Sequence, residues 1–242
     1  MLNKILAKIS RLLSENTLFY PGCMAQYAST EIYNNYKEIL QKLNIEFIEL
    51  GKDFLCCGSP AKSAGYKKDF DFHRQKFLKI LKDRGVSRII TICPACYNTL
   101  KEEYKLENVE FITSVILDNL SEFRTVKSGE ITYHDPCHLG RYSGIYDEPR
   151  KILRHLGYGV VELKDNRQKS MCCGAGGGLR NNNKELADNI AKLRLSHVKT
   201  NSIVTLCPMC YEHFRENSGK IQVFEFSQFL KEALPKHEKA QS

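Results

Sequence analysis

A chain of 242 residues is long enough for two domains of about 110 residues, each able to bury a core without disulfide staples. Its 36 Lys and Arg exceed its 28 Asp and Glu by 8, but ten cysteines ionised in metal sites would offset that excess, and the lysines are scattered over helix faces, which argues against a nucleic-acid partner. No run approaches the roughly 18 apolar residues of a bilayer span and the first residues lack a long secretory apolar run, so a cytoplasmic protein with reduced thiols is expected.

Residues 2 to 13 place Leu2, Ile5, Leu6, Ile9, Leu12 and Leu13 at helical spacing, with Lys4, Lys8 and Arg11 on the other face. Such a helix either packs on its own domain or docks a partner subunit or a membrane face. From residue 17 short apolar runs alternate with helical patterns. Thr17 to Tyr20, Ile45 to Leu50, Arg88 to Ile92 and Val109 to Ile112 read as strands, and Ser29 to Leu43, Tyr66 to Arg84 and Pro94 to Tyr104 as helices. A stretch without periodicity, Arg124 to Glu130, marks a break. Beyond it Ile131 to Tyr133, Val160 to Leu163, Ile203 to Leu206 and Ile221 to Phe226 again read as strands. The expected architecture is α/β, with two Rossmann-like halves built on parallel sheets. The boundaries expected are an N-terminal amphipathic helix over 1–16, a first domain over 17–126 and a second over 127–242.

All ten cysteines fall into two copies of one pattern: Cys23, Cys56, Cys57, Cys93 and Cys96, then Cys137, Cys172, Cys173, Cys207 and Cys210. The offset is 114 residues at the first, fourth and fifth markers and 116 at the adjacent pair, so a unit of about 115 residues is duplicated. Neighbouring residues repeat as well, with Ile-Thr-Ile-Cys93-Pro-Ala-Cys96-Tyr answered by Val-Thr-Leu-Cys207-Pro-Met-Cys210-Tyr. Cys23, Cys93, Cys137 and Cys207 each follow an expected strand, which sets the sites at the strand carboxyl ends where open α/β sheets bind ligands. The prolines after Cys93 and Cys207 can open helices, placing Cys96 and Cys210 in a first turn whose free N–H groups favour thiolate.

Structural zinc takes four tetrahedral ligands, commonly from two Cys-x2-Cys pairs, and each half has one such pair. An ordinary 4Fe-4S cube takes four cysteines, usually from a compact run that is absent here. Five soft thiolates per site favour iron–sulfur chemistry and suit a polynuclear cluster in which adjacent, diverging cysteines reach different metal atoms.

Cys-x32-Cys-Cys-x35-Cys-x2-Cys with a Cys-Cys-Gly core is similar to the CCG, or cysteine-rich, domain family, and the tandem pair resembles the catalytic subunit of heterodisulfide reductases. The likeness extends to Tyr20-Pro-Gly-Cys23, Cys56-Cys57-Gly58-Ser59-Pro60, Tyr133-His-Asp-Pro-Cys137-His138-Leu-Gly-Arg141 and Cys172-Cys173-Gly-Ala-Gly-Gly-Gly178, and covers roughly residues 17 to 230. The second copy departs from it, with a spacing of 33 between Cys173 and Cys207. The resemblance implies two noncubane 4Fe-4S clusters, each held by five cysteines, that together reduce a small-molecule disulfide; zinc in place of one cluster is the alternative. It also implies a ferredoxin-like iron–sulfur subunit as electron donor, and peripheral association with a membrane subunit. A different reading within the same family is an electron-transfer subunit of a glycolate, lactate or glycerol-3-phosphate dehydrogenase.

His134 and His138 flank Cys137 and are the candidate catalytic proton donors to a departing thiolate, the alternative being a hydrogen bond to sulfur or backbone. Arg141 reads as half of a structural ion pair ahead of an anion site. The glycines from Gly174 to Gly178 match neither a P-loop nor a dinucleotide fingerprint, and are expected to let backbone approach the cluster or substrate. Tyr97 and Tyr211 are expected to pack beneath the sites.

Overall fold

The computed structural model describes residues 15–126 and 129–235. The expected helix over residues 2 to 13 lies outside the described residues, as does the centre of the expected break. Two parallel sheets carry the two halves. In the first, β1 (Asn16–Tyr20), β2 (Val86–Thr91) and β3 (Val109–Phe111) lie in the order β1-β2-β3. In the second, β4 (Gly129–His134), β5 (Tyr158–Glu162), β6 (Ser202–Thr205) and β7 (Gln222–Glu225) lie in the order β5-β4-β6-β7.

The expected strand at Ile45 to Leu50 is reduced to one parallel bridge between Ile48 and Leu18. The Ile45 N–H is already used in closing the preceding helix on the Leu40 carbonyl at 3.0 Å, and a 3-10 turn begins at Gly51. Between these two points Ile48 makes the bridge, donating to Thr17 at 2.8 Å and accepting from Phe19 at 3.0 Å. It occupies the edge that β5 fills in the second half, so both sheets follow one topology. The other seven expected strands form.

The described α-helices run in chain order α1 (Thr30–Lys42), α2 (Ser59–Ser63), α3 (Lys67–Asp83), α4 (Pro94–Asn98), α5 (Ile112–Asp118), α6 (Asp147–His155), α7 (Leu179–Asn182), α8 (Lys184–Ser196), α9 (Pro208–Asn217) and α10 (Phe226–Ala233). α1 shows why the pattern folds as it does: Ile32, Tyr36, Ile39 and Leu40 recur on one face and are buried, while charged residues take the other. α4 is shorter than the sequence suggests, because the chain widens into a π-helical turn at Thr99–Glu103.

The halves share a core. One buried cluster joins Phe19, Ile39, Ile90 and Ile116 of the first half to Tyr133, Ile152, Val204 and Phe226 of the second. α1 packs on α10, and α5 packs on α6. These pairs are equivalent under the repeat, so the halves meet about a pseudo-twofold axis. A buried polar knot lies at the first pair. Glu225 caps α10, accepts from the Ser227 N–H at 2.7 Å and from the Ser227 hydroxyl, and accepts from the Tyr36 hydroxyl at 3.1 Å. Beside it Ser29 donates to Glu212 at 2.7 Å.

Burial pushes the Glu225 carboxyl up from 4.5 to about 7, so the folded protein holds a proton that the unfolded chain releases between those values. Its contribution to stability is therefore complete below about 4.5 and is lost as the pH rises through about 7. The stability difference between the native protein and Glu225→Gln, measured by urea unfolding across this range, is expected to move against the native protein as pH rises. A difference that stays flat would contradict it.

Candidate metal centre

Each site is built at the carboxyl edge of its sheet. β1 ends at Tyr20 and Pro21-Gly22 turns the chain into Cys23; β4 ends at His134 and Asp135-Pro136 turns it into Cys137. β2 and β6 end two residues before Cys93 and Cys207, which cap α4 and α9, so that Cys96 and Cys210 lie in the first turn. The adjacent pairs Cys56-Cys57 and Cys172-Cys173 come in from the loops ahead of α2 and α7. All ten thiols are free.

The five sulfurs of the first half form a contact chain, Cys23 to Cys56 to Cys57 to Cys96 to Cys93. Those of the second form the same chain, Cys137 to Cys172 to Cys173 to Cys210 to Cys207, with Cys173 and Cys210 sulfurs 3.1 Å apart. In each half the third and fourth members, Cys57 and Cys96 or Cys173 and Cys210, are buried, and the other three are half-buried. Each site thus has a closed floor and an open rim.

So many sulfurs in contact cannot all ionise. Hydrogen bonds from Cys23 and Cys57 push Cys56 down to about 2, and those from Cys137 and Cys173 do the same to Cys172. Cys23, Cys57 and Cys96 are pushed up, chiefly because each donates to a neighbouring sulfur and all three are removed from water. Cys93 is held down by the hydrogen bond from Cys96 and by the Cys96 and Ala95 backbone N–H groups. The helix N-terminus therefore favours the thiolate of Cys93, which precedes the helix, and not that of Cys96 within it. A multinuclear cation would let all five ionise together, and an all-sulfur donor set is soft. The residues fit an iron–sulfur group.

Two glycines close the sites. Gly22, at φ +80°, passes so near the first site that a Cβ would lie 2.7 Å from Cys93 Cβ and 3.1 Å from Cys96 Sγ. Gly174, at φ +89°, donates to Cys172 Sγ at 3.4 Å, and a Cβ there would meet the Ala187 carbonyl at 2.8 Å. The glycine-rich run thus makes its close approach to α8. Gly176 and Gly177 have open space around them, so the glycine packed most tightly against cysteine side chains is Gly22.

His134 is fully buried, and one of its ring nitrogens lies within 4.8 Å of the Cys173 and Cys210 sulfurs. Burial, reinforced by the Arg194 cation, pulls it down to about 3, so the ring is neutral at ordinary pH. His138 is half-buried, with Nδ1 3.5 Å from Cys137 Sγ and its ring 4.9 Å from that of the exposed Tyr142. Arg141 forms no ion pair among the described residues; it donates to the carbonyls of Gln168 and Ser170. Tyr97 sits edge-on to Phe111, and Tyr211 lies under the Arg215 guanidinium at 5.4 Å.

The loop carrying Cys137 is pinned by residues that periodicity does not reveal. Fully buried Arg150 forks onto both oxygens of Asp135 at 2.7 and 2.8 Å and onto Glu162, and the Arg167 N–H reaches the same Asp135 carboxylate at 2.8 Å. The two sites also reach across the seam. The turn after Cys23 meets the helix after Cys210 through Ser29 and Glu212, and the turn after Cys137 meets the helix after Cys96 where Asn98 Nδ2 donates to the Tyr142 carbonyl at 3.4 Å. Asn98 and Glu212 are equivalent positions of the repeat, 114 residues apart.

Fold and site together define a duplicated parallel α/β protein with an all-sulfur centre in each half. Residues 17–101 and 131–215 each match the cysteine-rich domain CCG, and the chain belongs to that family. It is 33% identical over 207 residues to an uncharacterized iron-sulfur protein of Methanocaldococcus jannaschii, covering 82% of this chain and 41% of that one. Over 225 residues it is 30% identical to one subunit of the dihydromethanophenazine:CoB–CoM heterodisulfide reductase of Methanosarcina acetivorans, covering 86% of this chain and 55% of that one. Over 215 residues it is 32% identical to the EtfAB:quinone oxidoreductase of Syntrophomonas wolfei, covering 80% and 30% respectively. The chain spans about half the length, or less, of these relatives. Among the described residues no helix is long and apolar enough to cross a membrane.

In the metal-free, fully reduced protein, iodoacetamide at about pH 6 is expected to modify Cys56 and Cys172 ahead of Cys23 and Cys137, because the thiolate is the nucleophile. Peptide mass spectrometry reads the order, and labelling of Cys23 and Cys137 first would contradict the polarity of the contact chains.

Proposed function

We propose that each half holds a noncubane 4Fe-4S cluster through its five cysteines and that the two clusters together reduce a small-molecule disulfide. The observation that carries this reading is the identical contact chain of five sulfurs in both halves. Four of the five would satisfy zinc or a cubane, with one thiol spare; a larger cluster would employ the fifth as well. The similarity to a heterodisulfide reductase subunit and to a quinone oxidoreductase supports a redox role.

Bound clusters of this kind supply electrons singly and offer iron to a substrate sulfur. Cleaving a disulfide consumes two electrons and two protons and yields two thiols. A disulfide has two equivalent ends, and each half offers one open rim to take one of them. His138, half-buried beside Cys137 and braced by Tyr142, is the residue placed to hold a proton at the second rim. The equivalent position in the first half is Met24, so one thiolate would take its proton from solvent. The electrons would come from a ferredoxin-like iron–sulfur partner, with peripheral docking on a membrane subunit as a further expectation.

Anaerobically purified protein is expected to carry about eight irons and about eight acid-labile sulfides per chain, the content of two 4Fe-4S clusters. A paramagnetic signal should appear on adding a thiol to the oxidised protein. Zinc without labile sulfide would overturn the cluster reading, and a silent response to every thiol tried, with full iron, would leave electron relay as the function. Gly22→Ala, which forces a methyl group into the first site, is expected to lose about half of the iron, counted by colorimetric assay. His138→Gln should keep its iron and slow thiol release about 100-fold or more, the scale of general acid catalysis.

A further inference from the structure

Arg150 and Arg194 are the two fully buried cations among the described residues, and they are compensated very differently. Arg150 is gripped by Asp135 and Glu162. Arg194, on α8, has no carboxylate within ion-pair distance among the described residues. Its Nη2 donates to Ser170 Oγ at 3.0 Å, its Nε points to His134 Nδ1 at 3.4 Å, and its Nη1 is buried without a partner. A buried cation without a carboxylate in direct contact is costly. The anionic groups that act on it from beyond ion-pair distance are Asp135 first, then Asp165, then the Cys210 sulfur of the second site.

The chain of donors leads to the sulfurs. A guanidinium can only donate, so Arg194 fixes the His134 lone pair on Nδ1 and the proton on Nε2. Nε2 is buried and unpartnered, on a ring that reaches within 4.8 Å of Cys173 and Cys210. Thr205, the register partner of His134 on β6, also has an unpartnered buried hydroxyl. Orphaned donors therefore gather on this floor. The first half is different. Tyr20 stands at the position of His134, and its hydroxyl is spent on the Leu55 carbonyl at 2.8 Å, while Phe77 covers its ring. The nearby basic residues there, His73 and Arg74, each keep one buried unpartnered nitrogen, but both side chains are only half-buried, whereas Arg194 and His134 are fully buried.

We infer that Arg194, acting directly through its charge and through the His134 N–H it orients, makes the second site the electropositive one, so that a cluster bound there accepts an electron at a higher potential than its twin. The inference rests on the cluster reading above. Hydrogen bonds to cluster sulfur and buried positive charge both favour the reduced, more negative state. Electrons would collect at the Cys137 side, where His138 also lies. Arg194 is a positioning residue in this scheme, and His134 is the group that meets the cluster.

The test is a spectroscopically monitored redox titration of the holoprotein. Two midpoints are expected in the native protein, separated by at least about tenfold in the reduction equilibrium, or about 59 mV for one electron. Gly22→Ala, which empties the first site, should retain the higher midpoint. Arg194→Met should lower that midpoint and leave the other in place, whereas Arg194→Lys, which keeps the charge, should lower it less. A single shared midpoint, or retention of the lower one in Gly22→Ala, overturns the inference and leaves the cluster reading intact. Failure of the native protein to bind iron overturns both. If Arg194→Met does not fold, the native and Gly22→Ala titrations still decide.

Discussion

Five sulfurs forced into contact at the end of a parallel sheet are the constraint around which the rest of each half is arranged. Sulfur is large and its thiolate strongly charged, so such a group is tolerable only with a floor that excludes water, donors that reach the thiolates, and backbone that can pass close by. The structure supplies all three. Cys57 with Cys96, and Cys173 with Cys210, form the floors. The N–H groups opening α4 and that of Gly174 supply donors. Gly22 gives the backbone its closest passage, at a φ that a larger residue resists.

The duplication preserves this arrangement while the surroundings diverge. Where the first half places Tyr20 and Phe77, two aromatic rings with their one polar atom satisfied, the second places His134 and a buried guanidinium with donors to spare. Where the first half leaves its outer segment as a single bridge, the second completes β5 and uses Glu162 at its end to hold Arg150, and through Arg150 the loop bearing Cys137. The rim of the second half is accordingly the one held by a buried ion-pair network, and the first is the plainer container.

Much of this is legible in the sequence. The strand-to-cysteine junctions can be read because a buried parallel strand leaves a short apolar run and the site follows it directly, and the equal offsets make one half a check on the other. The edge segment from Ile45 to Leu50 misleads because its apolar content is that of a strand, while the helix closure at Ile45 and the turn at Gly51 take the backbone groups a ladder would need. Arg194 is invisible for another reason: in α8 it sits between Leu193 and Leu195, and helical spacing alone does not say that Leu193 is exposed and the arginine buried. The glycine run is conspicuous by composition, whereas the single Gly22 carries the tighter contact with sulfur.

The reciprocal seam has a consequence for what half of this chain could be. Ser29 meets Glu212 and Tyr142 meets Asn98, with Glu212 and Asn98 at equivalent positions and Tyr142 one residue before the equivalent of Ser29, and α1 lies on α10 as α6 lies on α5. Each half therefore finishes the other's surroundings with the very patches that its own copy would present. An isolated half would expose Ile39, Ile116 and their neighbours, and would meet a second copy of itself face to face by the same contacts. The fused chain is then a symmetric dimer whose two protomers have been tied together, and the tie is what frees them to differ: an arginine can be buried beside one centre without being imposed on the other.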